Sequence, residues 1–494
     1  METRDLLRHD PLTRVLAERA LSRAAGAPLT PGNSVRILRN ASENYPAWLA
    51  AIRSAQRAVF FENYIIAADE IGREFAAALT ERARAGVRVR VIYDWMGTLG
   101  LGSRKLWRPL LEAGGEVRCF NPPRFDSPFG WLTRDHRKMI AVDGEVGFVS
   151  GLCVSRRWVG NVRRRREQWR DTGIELRGPA VADIIQAFAQ VWAAAGTPLP
   201  EAELMAEESI AVAGDVAVRV LATAPATAGP YRLDQLIAAM ARRSLWLTDT
   251  YFVGVSTYVQ ALRAAALDGV DVRLLVPGAS DIPSLTPITR AGYRPLLEAG
   301  VRVFEWNGAM LHAKTAVADE RWARVGSTNL NLASWIGNYE LDVAMEDEGC
   351  AREMQQMYLA DLENATEIVL GNRRRVRTTI PPHPERRARG LRGGSTGRAA
   401  AGALRLGNAV SAAMTNRRVL GPAEASVMAT AAAVLIVLAV VALFVPKLIV
   451  IPLVVFGLWV AAALAVKAYK LRAGAEHADE RAERTPEPSP TDDD

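Results

Sequence analysis

The chain has 494 residues, a formal net charge of +7, five histidines and three cysteines. Cys119, Cys153 and Cys350 show no paired spacing, which argues against a disulfide framework and a zinc site; with no dense His, Cys or carboxylate cluster, neither a metal nor a cofactor is expected. The length suits two lobes of ordinary domain size, and the positive charge alone admits either an anionic lipid surface or nucleic acid as a partner.

Residues 1–32 read as an arm whose segment 11–25 is an amphipathic helix. The charged start has no apolar h-region, so no signal peptide is expected. A first α/β lobe is assigned to 33–205 and a second to 206–371, because a series of elements occurs twice. Val35-Arg36-Ile37-Leu38 returns as Val218-Arg219-Val220-Leu221, and Glu62-Asn63-Tyr64 returns as Asp249-Thr250-Tyr251, each closing an apolar run that reads as a buried strand. Gly86-Val87-Arg88-Val89 matches Gly269-Val270-Asp271-Val272. The heptapeptide Arg-Pro-Leu-Leu-Glu-Ala-Gly stands at both 108–114 and 294–300. The period is far above that of repeat arrays, so a whole α/β unit has been duplicated.

Each copy then carries H-x-K-x4-D: His136, Lys138 and Asp143, then His312, Lys314 and Asp319. The pattern around each histidine is a hairpin, with Asp143-Gly144 as the turn signal. Residues i and i+2 of a strand face one way, so each histidine and its lysine share a side. Asp143 and Asp319 fall at the far end of that strand and read as structural turn residues. Paired imidazoles with paired ammonium groups suit phosphodiester chemistry: one ring attacks phosphorus, the other protonates the leaving oxygen, and the lysines hold the phosphate charge. An imidazole in either role needs an acceptor on its second nitrogen. Asp171 and Glu340 are the candidates, each about 30 residues past the histidine of its own copy. Ser327 and Asn329, in the small-residue turn 326–329, and Ser150 are candidates for phosphate binding. Glu62 and Asp249 are candidates for lining the site, whereas Tyr64 and Tyr251 read as packing. The run Arg163–Arg166 suits anionic headgroups better than a plain solvated loop.

With these residues in view, roughly 33–370 resembles the phospholipase D superfamily, and within it bacterial cardiolipin synthases, closest to the B type. The resemblance rests on the two H-x-K-x4-D motifs, Glu62-Asn63-Tyr64, Gly326-Ser327-Thr328-Asn329 and Asn338-Tyr339-Glu340. It implies two α/β/α sandwich lobes packed face to face over one active site at their junction, and a phosphohistidine intermediate. By the resemblance His136 is the nucleophile and His312 the general acid and base, although the two surroundings are too alike in sequence to choose between them. One departure stands out: the family's Gly-Gly-x-Asn after the first motif is Ser150-Gly151-Leu152-Cys153 here, which weakens the first lobe's share of phosphate binding.

Beyond the lobes, 372–425 is a basic flexible linker with twelve arginines against Glu385 and Glu424. Two apolar stretches broken by Pro446-Lys447 read as a transmembrane helical hairpin over 426–466, and 467–494 as an acidic disordered tail. The arginine bias places the flanks and the lobes in the cytoplasm, on the inner membrane of a bacterial cell. The expected partners are therefore the membrane and phospholipid substrates, with phosphatidylglycerol as donor, phosphatidylethanolamine as the alternative donor, and no nucleic acid. The expected reaction joins two phosphatidylglycerols into cardiolipin and glycerol. A phospholipase D releasing phosphatidic acid is the closer rival and a nuclease the more distant one.

Overall fold

The computed structural model describes residues 11–124, 132–160, 167–370 and 376–378, and scattered residues between 433 and 465. The arginine run 163–166, most of the linker and of the apolar block, and the acidic tail lie outside the described residues. Among the described residues no helix is long and apolar enough to cross a membrane. The chain divides into two compact units, one holding both lobes within Met1–Phe120 and Thr133–Val427, the other within Asn121–Leu132 and Met428–Asp494. Of the second unit, 454–462 is helical, with Phe456 and Trp459 packed edge to face.

Helix α1 (Pro11–Ala25) is the amphipathic segment of the expected arm, and it is docked: Leu21, Ala25 and Ala27 enter the apolar core of the second lobe. Its Ser22 and Glu18 accept from the buried Arg219. The first lobe then runs β1 (Thr30–Arg39), α2 (Asn40–Ser54), β2 (Ala58–Asn63), α3 (Glu70–Arg84), β3 (Arg88–Asp94), α4 (Arg104–Glu112), β4 (Glu116–Phe120), β5 (Lys138–Val142), β6 (Val146–Ser150), β7 (Thr172–Arg177) and α5 (Val181–Ala194). The second repeats the plan as β8 (Val216–Thr223), α6 (Gly229–Met240), β9 (Ser244–Thr248), α7 (Ser256–Leu267), β10 (Asp271–Pro277), α8 (Tyr293–Glu298), β11 (Arg302–Trp306), β12 (Thr315–Ala318), β13 (Trp322–Gly326), β14 (Glu340–Met345) and α9 (Glu348–Leu362). Two further strands, β15 (Ala365–Leu370) and β16 (Val376–Thr378), extend its edge.

Strand order is β1-β7-β6-β5-β2-β3-β4 in one lobe and β8-β14-β13-β12-β9-β10-β11 in the other, the same path walked twice. The first strands, β1 and β8, pair antiparallel and join the lobes edge to edge. Central strands are buried along their whole length because helices or the opposite lobe cover both faces, which is why they read as continuous apolar runs. On β2, Val59 and Phe61 face an outer core shared with α2 and α3, while Ala58 and Phe60 face an inner core. That inner core belongs to both lobes: Met139, Val149 and Ile174 of the first meet Val220, Val325 and Val343 of the second, with α5 and Met354 and Met357 of α9 packed in. The lobes thus meet over a face as well as an edge, and β13 lies against β6 and β7.

Local signals explain the repeated elements. Gly86 and Gly269 follow α3 and α7 at φ +87° and +91°, a conformation only glycine adopts without strain, and so turn each helix into the next parallel strand. Asp143, itself at φ +55°, accepts from the backbone amides of Gln56, Arg57 and Ala58 at 2.7, 2.7 and 2.8 Å. Asp319 does the same for Arg242, Arg243 and Ser244. Each motif aspartate therefore satisfies the free amides where β2 or β9 begins, a structural task remote from the histidine.

Candidate active site

His136 and His312 sit immediately before β5 and β12, and Lys138 and Lys314 lie one alternate position further on, on or beside those strands. All four are buried, with the two imidazoles 9% and 5% exposed. Each histidine finds its acceptor in the opposite lobe. His136 Nδ1 is 2.8 Å from Glu340 Oε2, and His312 Nδ1 is 2.8 Å from Asp171 Oδ2. Each of the two candidate carboxylates thus serves the histidine of the other copy, not the one about 30 residues before it in sequence.

Backbone pairing accounts for the exchange. The amide of His136 donates to Tyr339 O at 2.9 Å and that of Tyr339 to Arg134 O at 2.9 Å, so the segment before one histidine forms a short ladder with the segment before the other lobe's carboxylate. The second ladder mirrors it: His312 N donates to Arg170 O at 2.7 Å and Arg170 N to Met310 O at 2.9 Å. Two arginines clamp these joints. Arg137 is fully buried and donates to Glu340 O, Thr223 O, Ala187 O and Gln190 Oε1, thereby binding three elements together. Arg170 reaches across to Asp361 of α9 at 2.7 Å.

Each carboxylate is itself held. Glu340 accepts from Ser327 Oγ at 2.6 Å and Asn338 Nδ2 at 3.1 Å. Asp171 accepts from Trp158 Nε1 at 2.9 Å and its neighbour amide Thr172 N at 2.9 Å. Ser327, expected to bind phosphate, is thus committed to Glu340 and to the amide of Leu341. Ser150 is likewise buried, with its hydroxyl accepting from Leu152 N at 3.1 Å. Asn329 is nearly buried, and its Oδ1 has no hydrogen-bond partner among the described residues. Glu62 and Asp249, the candidates for lining the site, are fully buried, and Asp249 accepts from Leu330 N at 2.8 Å.

Sequence reasoning missed several supports. Trp158, on the short helical turn Arg156–Val159, stands edge-on to His312 at 5.2 Å, and Trp169 tilts against the same ring at 5.8 Å. Tyr64 plays the corresponding part beside His136 at 4.9 Å, and its ring lies 5.2 Å from the Lys138 ammonium. Gly151 has no Cβ where one would come within 2.2 Å of Asp171 Oδ1, so this glycine makes room for the acceptor. In the second lobe Ser327 stands at the equivalent position, and there the side chain is accommodated by donating its hydroxyl to Glu340. Cys153 is buried, its carbonyl taken by the Tyr45 hydroxyl.

The electrostatics follow from burial and the two ammonium groups. Burial first and Lys314 second bring the pKa of His312 down to about 3, against the opposing pull of Asp171. His136 is lowered by burial as well, against the pull of Glu340. Burial would raise Asp171 and Glu340, but their histidine partners and the lysines hold both below the usual carboxylate range. Lys314 is pushed down to about 8, chiefly by burial, with Asp171 resisting and Lys138 adding to the fall. Lys314 also donates to Thr250 Oγ1 at 2.9 Å and to the backbone oxygen of His312. Both imidazoles are therefore held toward the neutral form at neutral pH, each with its Nδ1 facing a carboxylate, and at His312 the Lys314 ammonium also lies 3.0 Å from Nδ1 and 3.3 Å from Nε2.

A duplicated α/β protein in which each half orients the other's histidine falls in the class that moves phosphoryl groups through a histidine pair. Similarity to known proteins places it more closely. A family model described as "Cardiolipin synthase, PLD-like domain" matches residues 48–192 and 234–362. The cardiolipin synthase A of Pseudomonas aeruginosa (strain LESB58) is 35% identical over 365 residues, covering 73% of each chain. The cardiolipin synthase of Alkalihalophilus pseudofirmus is 31% identical over 347 residues, covering 69% of this chain and 68% of that one. A phosphatidylserine synthase of Haemophilus influenzae Rd KW20, solved by crystallography, superposes with a TM-score of 0.55 at 14% identity over 71% of this chain and 91% of its own, a likeness of fold alone. The chain belongs to the phospholipase D-like cardiolipin synthase family. The B-type subdivision expected from the motifs is not part of that assignment, since the relatives named here are A-type or untyped.

Proposed function

We propose that this chain is a membrane-anchored phosphatidyltransferase that makes cardiolipin from two molecules of phosphatidylglycerol. The crossed histidine–carboxylate pairs carry the reading. They leave two Nε2 atoms as the reactive positions, one for each side of an in-line displacement at phosphorus, with Lys138 and Lys314 placed to bind the anion between them.

In the first half-reaction Nε2 of His136 attacks phosphorus, the bond from phosphorus to the headgroup oxygen breaks, and that oxygen takes a proton from Nε2 of His312 as glycerol departs. In the second, His312 Nε2 removes the proton of the terminal hydroxyl of another phosphatidylglycerol. The resulting oxygen attacks phosphorus, the N–P bond breaks, and His136 is restored. His312 has to be protonated for the first step, although it is neutral in the empty site. The substrate phosphate supplies the change: its negative charge beside the ring favours the imidazolium, against the burial that chiefly lowers it and the two ammonium groups that add to the fall. Glu340 and Asp171 then stabilise the cationic ring on either side.

The apolar block 426–466, flanked by arginines, is the proposed membrane anchor, with the lobes on the cytoplasmic face of a bacterial inner membrane. Lipid mass spectrometry after incubating the purified full chain in detergent with phosphatidylglycerol tests the reaction. Cardiolipin and glycerol are expected, and neither should appear with His136→Ala. Phosphatidic acid with glycerol would make the protein a hydrolase, and turnover only when phosphatidylethanolamine is supplied would change the donor.

A further inference from the structure

Beneath His136 lies an acid pair that the reaction does not use. Glu62 closes β2, and Asp135 immediately precedes His136; both are 0% exposed. Neither oxygen of Glu62 has a hydrogen-bond donor among the described residues, and neither has Oδ2 of Asp135. The two carboxyl groups nevertheless stand within hydrogen-bonding reach of each other.

The charges that face the pair are Arg137 and Lys138 on the strand side and Asp94 at the end of β3. The cations are committed elsewhere. Arg137 spends its guanidinium on Glu340 O, Ala187 O, Thr223 O and Gln190 Oε1, and Lys138 donates to His136 O. Two ionised carboxylates touching in a dry interior with no donor are strongly disfavoured, whereas a proton on one supplies the missing donor to the other.

We propose that Glu62 and Asp135 share one proton, so that the pair carries a single negative charge and its hydrogen bond fixes the segment that presents His136 and Lys138. Asp135 is tied on its other side to the amide of Arg137 and, through its own amide, to Asp94. A protonated Glu62 therefore links the end of β2 to the histidine arm, and Glu62 is a positioning residue. The second lobe lacks the device: Leu311 stands where Asp135 does, and Asp249 accepts from Leu330 N at 2.8 Å. Burial raises Glu62 well above its ordinary range and lifts Asp135 to about 7, each further affected by the other. Loss of the shared proton at alkaline pH would put a second negative charge beside Lys138 and weaken phosphate binding, so KM should rise while kcat changes little. This consequence rests on the phosphate role of Lys138; the shared proton itself does not.

The test compares Glu62→Gln, which keeps a neutral donor, with Glu62→Ala, which removes it. Two readouts are used: KM and kcat for phosphatidylglycerol from pH 6 to 9, and the infrared band of a protonated carboxyl in the full chain at neutral pH. Glu62→Ala should lose about tenfold in kcat, the equivalent of one hydrogen bond's positioning, and Glu62→Gln should restore it. The carboxyl absorption of Glu62→Gln should lack the contribution of the pair, read as a loss in the difference spectrum against the unaltered protein, and its KM should rise less above pH 7 than that of the unaltered protein. Lys314 and Asp249 titrate nearby in both proteins, so the difference between them isolates the pair. A folded Glu62→Gln protein as inactive as His136→Ala, or one whose carboxyl absorption equals that of the unaltered protein, would overturn the proposal. Asp135→Asn, which also leaves one donor between the two groups, serves if Glu62→Gln does not fold. A loss of carboxyl absorption in Glu62→Gln, with no turnover of phosphatidylglycerol by the unaltered protein, would uphold the shared proton while refuting the substrate.

Discussion

Replacing Asp171 by asparagine tests the crossed site with the least change of shape. Oδ2 of Asp171 accepts from both His312 Nδ1 and Trp158 Nε1, and Oδ1 accepts from Thr172 N. An asparagine cannot serve all three. With its oxygen toward the histidine, its NH2 meets the Thr172 amide donor to donor; turned over, the NH2 meets the Trp158 N–H and forces the His312 proton onto Nε2. The first orientation forfeits a charge-assisted hydrogen bond of about 1.5–3 kcal/mol, roughly 10- to 150-fold in rate. The second also reverses the tautomer, which brings the loss to about 10⁴-fold. The expected kcat for cardiolipin formation therefore falls by between about tenfold and 10⁴-fold, measured on protein whose thermal unfolding shows it to be folded. Ring signals of labelled histidine give the complementary reading: His312 should move and His136 should stay. A Asp171→Asn enzyme within about threefold of the unaltered rate, or one in which only His136 responds, would refute the cross-lobe pairing.

Three further outcomes are expected. Gly151→Ala drives a Cβ to 2.2 Å from Asp171 Oδ1, so it should displace that carboxylate and lower kcat by about tenfold or more with a smaller effect on stability, which turnover and melting together will show. Asp143→Ala strands three backbone amides and puts alanine at φ +55°; it should cost about 2–4 kcal/mol in denaturant unfolding. Activity per folded molecule should be retained, because the residue sits at the far end of the strand. Acid should destabilise the fold through His312: its folded pKa of about 3 lies below the unfolded value of about 6.5, so the unfolded chain binds the extra proton between them, and stability present above pH 6.5 is lost as pH falls toward 3. Asp171 and Glu340, both lowered, act in the same direction. Asp135, Asp234 and Asp249, lifted by burial to about 7, act in the opposite direction, so the check is a comparison: His312→Gln should lose less stability, or gain more, between pH 7 and pH 5 than the unaltered protein, and an identical pH response in the two would contradict this.

Much of this protein was legible in the order of its residues. The duplication, the strand–turn–strand setting of each histidine and the turn role of Asp143 and Asp319 all come from periodicity and spacing, which report local backbone geometry directly. The four motif side chains and both carboxylates could be named because each recurs in its copy. What a linear spacing cannot report is which copy a side chain serves. The crossing of Asp171 to His312 and Glu340 to His136 arises from ladders between segments more than 100 residues apart, set by the way the lobes face each other. The same holds for Ser327, which reads as a phosphate contact in its turn yet is taken by Glu340, and for Trp158, whose indole bond to Asp171 leaves no periodic trace. The charged arm before the first lobe could be read as a helix, but not as one that buries Leu21 against the second lobe. Sequence by itself determined the repeated units and the chemical groups they carry, because those depend on neighbours along the chain. The tertiary structure decided how the groups are paired, how deeply they are buried and therefore which protons they hold, because desolvation and hydrogen-bond partners come from residues distant in sequence.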